Sequence, residues 1–593
     1  MMLVARRRRL LLRVKTGGIG QERRLSSSDY VVVGGGSAGC VVASRLAEGG
    51  ATVTLLEAGD ASTLKGPLSV LCRMPTAFAM PMHLKRWNWG FEIAKSPKLK
   101  NRVVSCPRGR GLGGSSSING MVYVRGHALD YENWELDNWR WQDVAGYFKK
   151  MENYDGEDES GLRGREGPLH VTVGKNALKT DLFEKFVEAG EKAGYISLLP
   201  KDYNGLVQEG FGHMPATIFH SGPRKGERCS AAAAYLEPAL KQYPQNLTVI
   251  TGETVDTVSL SSSDEATGVV CGSGRVVTAN KEVILCAGAI ATPLILQRSG
   301  IGPREILKDA KIPLKIESPG VGRNLQDHME FYLQFGYDSK TSLAPYLQPL
   351  RKLAIGAAWL FSQNNQLSGL GSTNHFEAGA FIRTNAGIEY PDLQLHFLPV
   401  AVSYDGVTAP KTKSGHSFQL HVGVNRSRSR GHVAISPSHD QKPTIDFKYM
   451  DTEADWIDFR QALRLSRDIV KNMDLPGVYE VSPGTSSTTD DHIDDFLKDH
   501  LESAYHPCGT AKMGTSDDAV CDTHGRVRGA EKLRVVDASL FPRIPNGNLN
   551  APVIMTAEKL SDAILGNEPP AVPTQASEGP RGWLHPHWQT RQR

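Results

Sequence analysis

Residues 29–40, DYVVVGGGSAGC, decide the fold. Tyr30 and the three valines after it have the aromatic and β-branched composition of a buried parallel strand. Gly34, Gly36 and Gly39 follow at G-x-G-x-x-G spacing, a weak signal alone in a chain with 60 glycines. The flanks give it meaning. SAGCVVASRLAEGG predicts a helix with Val41, Val42 and Leu46 inward, and ATVTLLEAG predicts a second strand ending in Glu57, 18 residues past Gly39. A strand, a glycine turn, a helix and a second strand make the unit that seats a dinucleotide pyrophosphate on a helix N-terminus. Gly34 permits the turn, Gly36 lets backbone approach the phosphates, Gly39 brings helix to strand, and Ser37 and Ala38 open the helix. Glu57 is placed to accept ribose hydroxyls, and its charge disfavours a 2′-phosphate. The motif implies an adenine dinucleotide without choosing between FAD and NAD.

A chain of 593 residues is long enough for more than one domain, and its 40% hydrophobic and 22% charged content is ordinary for a soluble protein. The net charge of +4 comes partly from the first 28 residues, and no basic stripe with interleaved aromatics suggests nucleic acid. No apolar run approaches the length of a membrane span, so membrane contact is expected to be peripheral at most. The eight cysteines are scattered without a C-x-x-C pair, which argues against an iron–sulfur, zinc or redox-dithiol centre; no metal is expected. Residues 1–28 hold eight Arg/Lys, one acid and a closing serine run, the profile of a mitochondrial transit peptide. Residues 567–593 are Pro-rich and aperiodic and read as a disordered tail.

A second glycine cluster, PRGRGLGGSSSINGMVYVRGH at 107–127, offers many backbone N–H donors and small side chains to a bulky planar group. GAIATPLILQRSGIG at 288–302 follows the strand-like KEVILCAG, and LRVVDASLFP sets Asp537 directly after another strand. With these four blocks in order, the chain from 29 to 566 resembles the glucose–methanol–choline oxidoreductases, FAD enzymes that oxidise alcohols. NHFEAGAFIR, HFLPVAVSYDG, SAYHPCGTAKMG and GNLNAPVIM resemble the choline-oxidising branch.

The resemblance implies an α/β fold. A discontinuous Rossmann-like FAD-binding domain takes residues 29–159, 220–328 and 500–566, and a substrate domain with a mixed or antiparallel sheet covered by helices takes 160–219 and 329–499. It implies FAD contacts from Gly34, Gly36, Ser37, Ala38, Gly39, Glu57, Gly113, Gly114, Ser115, Asn119, Gly120, Met121, Val122, Val255, Asp537 and Ala538. Related choline oxidases attach their flavin through a histidine where this chain has Ile118, so the FAD is expected to be non-covalent. His506 matches the family's catalytic histidine and would take the hydroxyl proton; Asn550 matches its partner and would hold the alkoxide oxygen through an amide N–H.

Glu377, in an apolar and aromatic context, is expected either to pair with an arginine or to read the ammonium charge of choline, with Phe376, Trp87 and Trp89 as an aromatic cage. Electrons would pass to a respiratory-chain quinone or another acceptor. Two other functions fit the resemblance: oxidation of a different primary alcohol, and a non-redox hydroxynitrile lyase that carries FAD.

Overall fold

The structure, a computed structural model, describes residues 26–576 except 159, 362–365, 405, 407, 408 and 439–441. Nearly all of the expected transit peptide therefore lies outside the described residues. Only its last three residues fall inside, and they open a strand. The first sheet uses β1 (Ser26–Val33) and β2 (Val53–Glu57). The second draws on β3 (Ser197–Asp202) and β4 (Gly210–His213). The chain then returns to the first with β5 (Leu247–Thr251), β6 (Val255–Leu260), β7 (Ala266–Cys271) and β8 (Val276–Leu285). The second sheet resumes with β9 (Met329–Gly336), β10 (Ala378–Ile382), β11 (Leu393–Leu398), β12 (Ser417–Val424) and β13 (Tyr479–Ser482). Finally β14 (Leu533–Val535) goes back to the first.

In the first sheet the strands lie in the order β5-β2-β1-β8-β7-β6, with β14 also pairing β8. The pairs of β1 with β2, β1 with β8, and β2 with β5 are parallel. Tyr30 and the valines after it are buried there, as their composition requires. Helix α1 (Ser37–Glu48) buries Val41, Val42 and Leu46 on this sheet. Residues 26–28 register against 277–279 of β8, so the strand begins before the expected boundary at 29.

Helix α2 (Trp141–Met151) covers the start of the expected tail. A Cβ at Gly146 would lie 3.0 Å from the carbonyl oxygens of Pro570 and Ala571, and Ala576 is buried. Pro570, Ala571 and Ala576 of the expected disordered tail are therefore packed, while most of the residues between 567 and 576 are exposed; residues 577–593 are not described.

The second sheet runs β13-β9-β12-β11-β10-β4-β3, antiparallel except for the β3–β4 edge. Alternation gives it two unlike faces. Phe331, Leu333, Leu395, Phe397, Leu420 and Val422 form one core cluster with Phe186 of α3 (Leu182–Lys192) and with Phe459 and Leu463 of α6 (Glu453–Lys471). Two further helices complete the scaffold beside the first sheet, α4 (Gly288–Arg298) and α7 (Asn550–Leu565); α5 (Pro349–Phe361) lies at the edge of the cavity described next. The buried Glu558 of α7 accepts from Nε and Nη2 of Arg45 on α1, at 2.9 and 2.8 Å.

Candidate active site

Between the two sheets lies a cavity of about 1480 Å³. Its walls come from the ends of β1 and β2, the 107–127 loop, the start of α4, the loop before α7, and the polar face of the second sheet.

The glycine turn is built for close approach. Gly34 has φ +101°, and a Cβ there would stand 2.6 Å from the Cys286 carbonyl oxygen. A Cβ at Gly39 would overlap the Gly34 carbonyl, so α1 could not sit where it does. At Gly36 a Cβ would meet nothing closer than 4.0 Å and would project into space that backbone leaves free. Gly36 caps α1 without any side-chain bond, so the first N–H groups of the helix remain available to an anion. This is the cradle a pyrophosphate needs, and the residues present fit FAD.

Of the residues expected to contact FAD, Gly34, Gly36, Ser37, Ala38, Glu57, Gly114, Ser115, Asn119, Gly120, Met121, Val122, Val255, Asp537 and Ala538 line the cavity. Gly39 and Gly113 do not; they shape the wall from behind, Gly113 by donating its N–H to Gly35 at 2.7 Å. Glu57 already accepts from the N–H groups of Gly35, Gly59 and Gly111 at 2.8, 2.7 and 2.9 Å. A carboxylate offers about four acceptor sites, so roughly one remains for a ribose hydroxyl. Burial raises the pKa of Glu57 while those three amides oppose it. Asp537 likewise accepts from the Gly288 N–H at 2.8 Å and the Thr292 hydroxyl at 2.6 Å, joining β14 to the start of α4. Ile118, buried beside Cys72 and Trp87, also reaches the cavity and brings no nucleophile to it.

His506 lines the same cavity as the glycine turn. Its backbone N–H is held at 2.7 Å by Asp327, which also accepts from Tyr449 at 2.6 Å and Ser503 at 2.5 Å. Burial pushes the Asp327 carboxyl up to about 6. The His506 ring lies in a chain of polar contacts. Gln394 donates to Asn548 Oδ1 at 3.4 Å, turning the Asn548 amide so that its Nδ2 donates to His506 Nε2 at 3.2 Å. The ring proton then belongs on Nδ1, which donates to His328 Nδ1 at 3.0 Å. The Asn425 backbone lies beside the His328 ring, whose buried Nε2 has no hydrogen-bond partner among the described residues. Burial, then the neighbouring His328, Arg108 and His396, hold the His506 pKa well below its ordinary value. A neutral imidazole with Nε2 bare of a proton is a ready acceptor.

Asn550 does not occupy the partner position. Its Oδ1 accepts from Ser37 at 2.8 Å, on the first turn of α1, while Asn548 meets His506. Both asparagines line the cavity, but α7 starts at Asn550, and Asn548 belongs to the preceding loop that folds back over the histidine. The assignment of Asn550 to the alkoxide is therefore corrected by two residues.

Glu377 is displaced from the site altogether. It is 4% exposed, absent from the cavity wall, and accepts from Thr373 Oγ1 at 2.7 Å and the Asn176 N–H at 2.6 Å. Alternation explains this: Phe376 faces the cavity, so the next side chain points the other way, onto Gly174. Among the described residues no Arg or Lys forms an ion pair with it, so neither sequence expectation for Glu377 holds. Trp89 lines the cavity, stacked on Phe91 with ring centres 5.6 Å apart; Trp87 is fully buried behind it, its indole N–H on Ser62.

On the second sheet, the carboxylate that faces the cavity is Glu330 of β9. It is 7% exposed, and its only ion-pair neighbour among the described residues is His421 Nδ1 at 3.5 Å. Aromatic rings surround it: Tyr332 packs on His421 at 3.9 Å and stacks on Tyr404 at 5.3 Å, and Phe376 meets His421 edge-on at 5.2 Å. Sequence reasoning missed Glu330, although MEFYLQFG alternates apolar with polar and places Glu330, Tyr332 and Gln334 on one face.

Comparison with known proteins places this geometry. The GMC oxidoreductase N-terminal and C-terminal profiles match residues 28–330 and 427–557. The oxygen-dependent choline dehydrogenases of Brucella anthropi and Rhizobium meliloti are each 46% identical over 94% of this chain and 98% of theirs. Among solved structures, pyridoxine 4-oxidase from Mesorbium loti superposes with a TM-score of 0.78 at 29% identity, over 91% of this chain and 99% of its own. Formate oxidase does so with a TM-score of 0.81 at 25% identity, over 91% and 98%. These two choline dehydrogenases are bacterial proteins and lend no support to a mitochondrial address.

Proposed function

The chain belongs to the GMC oxidoreductases and is an FAD-dependent alcohol oxidoreductase, and on that premise we propose that its substrate is choline, oxidised to betaine aldehyde. One observation carries the choice of alcohol. Glu330 is a buried carboxylate without an Arg or Lys partner among the described residues, set among Tyr332, Tyr404 and Phe376 on the wall that also carries His506. A buried charge needs a counter-charge. A trimethylammonium group has no N–H to donate and is held by charge and by aromatic faces, which this wall supplies.

The chemistry follows from the neighbours. The alcohol oxygen takes a place between His506 Nε2 and the Asn548 amide, now 3.2 Å apart. As the hydroxyl proton moves to Nε2, the Asn548 N–H meets the growing negative charge on oxygen. His328 accepts the Nδ1–H bond throughout and so keeps the basic nitrogen turned to the substrate. Bound FAD supplies the acceptor for the carbinol hydride. Gly36, Glu57, Asp537 and the loop through Ser115 and Asn119 would hold it.

The relatives' names favour O₂ as the final oxidant, while resemblance to the wider branch favours a respiratory quinone. Oxygen uptake measured against reduction of a short-chain quinone separates the two. The basic, acid-poor residues 1–28 support a mitochondrial address, which a fusion of that segment to a reporter tests by its location. The substrate assignment is tested by anaerobic mixing of the holoenzyme with a panel of alcohols. Choline should bleach the flavin fastest. Bleaching by an uncharged alcohol with choline inert would exclude choline, and no bleaching by any alcohol would restore the lyase.

A further inference from the structure

Among the described residues no acid pairs with the buried guanidinium of Arg228, which is 2% exposed. Its donors go to neutral oxygens. Nε reaches the Cys72 carbonyl at 2.7 Å, and Nη1 reaches the Asn119 carbonyl at 2.6 Å, Asn119 Oδ1 at 2.7 Å and the Ser116 carbonyl at 3.4 Å. Nη2, also buried, meets no acceptor among the described residues. Glu227, its neighbour in the chain, is held by Arg73 and Arg224, and Asp60, whose charge reaches Cys72, by Arg86. Burial brings the Arg228 pKa down to about 10, so the guanidinium is still charged at neutral pH. Buried charges are normally paired, and this one is not.

The charge stands behind the loop that FAD would lie against. A Cβ at Gly114 would stand 2.8 Å from Gly36 Cα, and one at Gly120 would stand 3.9 Å from the Phe376 ring. Segment 114–120 thus runs from the glycine turn to the substrate wall. FAD has to reach the same two places, its pyrophosphate at one and its ring at the other. Ser115, Ile118 and Asn119 line the cavity along that course, and Arg228 lies off its wall. Asn119 Oδ1 takes the Met121 N–H at 3.1 Å as well as the guanidinium, which leaves Nδ2 for the cavity. Arg228 therefore sets which end of that amide a bound cofactor meets.

We propose that Arg228 is a positioning residue that acts on the cofactor's redox balance: as an unpaired cation, and through Asn119, it favours reduced over oxidised FAD and raises the midpoint potential. A flavin ring that takes a hydride gains two electrons with one proton, and so one unit of negative charge. A positive charge held behind the ring in a low-dielectric wall favours that state. A carboxylate at the guanidinium would cancel the effect, which accounts for the missing partner. The inference rests on FAD and not on which alcohol is oxidised.

The midpoint potential of the FAD-loaded full chain, measured by equilibration with a reference dye, tests it. A close opposite charge moves a protonation equilibrium by about ten- to a thousandfold, and with a loop residue in between the lower end is expected. Arg228→Gln should therefore lower the ratio of reduced to oxidised FAD about tenfold, or ~30 mV for a two-electron couple. Cys72→Asp should do the same, because it sets a carboxylate beside the guanidinium while leaving the bonds to Asn119 in place; Cys72 is buried against Ile118 and lies off the cavity wall. Arg228→Lys keeps the charge and should stay at the wild-type potential. Sulfite, which adds to oxidised flavin as an anion, gives a second readout and should bind about tenfold more weakly to both Arg228→Gln and Cys72→Asp. A wild-type potential in either of these two overturns the proposal. So does a potential in Arg228→Lys as low as in Arg228→Gln, since the loop's geometry alone would then matter. If one of the two fails to take up FAD, the other decides.

Discussion

Replacing Glu330 with Gln tests the reading of the charged wall, because it keeps the shape of the side chain and removes its charge. A trimethylammonium nitrogen cannot approach a carboxylate oxygen more closely than its methyl groups permit, about 5 Å. At an effective dielectric constant of about 20, the attraction there is roughly 3 kcal/mol. This falls within the ~2–5 kcal/mol commonly lost when one partner of a buried charge pair is removed. Choline, and glycine betaine as a competitive product analogue, should therefore bind about 10²-fold more weakly to Glu330→Gln. The neutral isostere 3,3-dimethylbutan-1-ol should bind nearly as before. Anaerobic stopped-flow reduction, with the rate followed against alcohol concentration, reads both affinities on one preparation. Glu377→Gln belongs beside it as a control. Thr373 and Asn176 already occupy that carboxylate, so its loss should not distinguish a charged from a neutral ligand. Equal losses for choline and the isostere at Glu330→Gln would refute the assignment, as would a choline-selective loss at Glu377→Gln.

Asn548→Ala should slow flavin reduction by about 10²–10³-fold, the cost of one donor to a developing oxyanion, whereas Asn550→Ala should cost less than about tenfold; the reverse order would return the role to Asn550. His506→Ala should lower the same rate constant by about 10²–10⁴-fold with FAD content near normal, and normal reduction would mean another base. Imidazolium cannot accept a proton, and His506 loses its charge only above its folded pKa. Because that value is depressed, the reduction rate should hold level as the pH falls through 6.5, the ordinary imidazole value, and decline only in more acid solution; an acid limb centred at 6.5 or above would contradict the buried, neutral ring. With Ile118 in place of an attachment histidine, acid precipitation should leave the yellow cofactor in the supernatant, and flavin retained in the pellet would show a covalent link.

The cofactor half of the site was legible because its residue types follow from backbone geometry. A glycine at positive φ beside Cys286, a glycine under α1 and an acid at the end of β2 are required by local structure, and local structure is written in spacing. The substrate half depends on which way side chains point across strands far apart in sequence. Phe376 was placed on the cavity and is there. Glu377 was placed with it although adjacent positions leaving a loop for a strand face opposite sides. The same alternation would have found Glu330, since β9 repeats apolar and polar residues and aligns Tyr332 with His421 of β12, itself aligned with His396 of β11. What no pattern in one strand reveals is that these three strands lie side by side, because β9 and β12 are some 90 residues apart and meet only in the folded sheet.

The confusion of Asn548 with Asn550 has a related cause. In GNLNAP both amides precede a helix, and only the point where α7 begins decides which faces Ser37 on α1 and which turns back to His506. Helix starts are fixed by capping and packing to within a residue or two that sequence does not resolve. Here two residues separate an amide that steadies the glycine-turn helix from one that meets the base. The chemistry of the site was thus readable as a set of residue types, and the assignment of roles within it required the register of one helix and the pleat of one sheet.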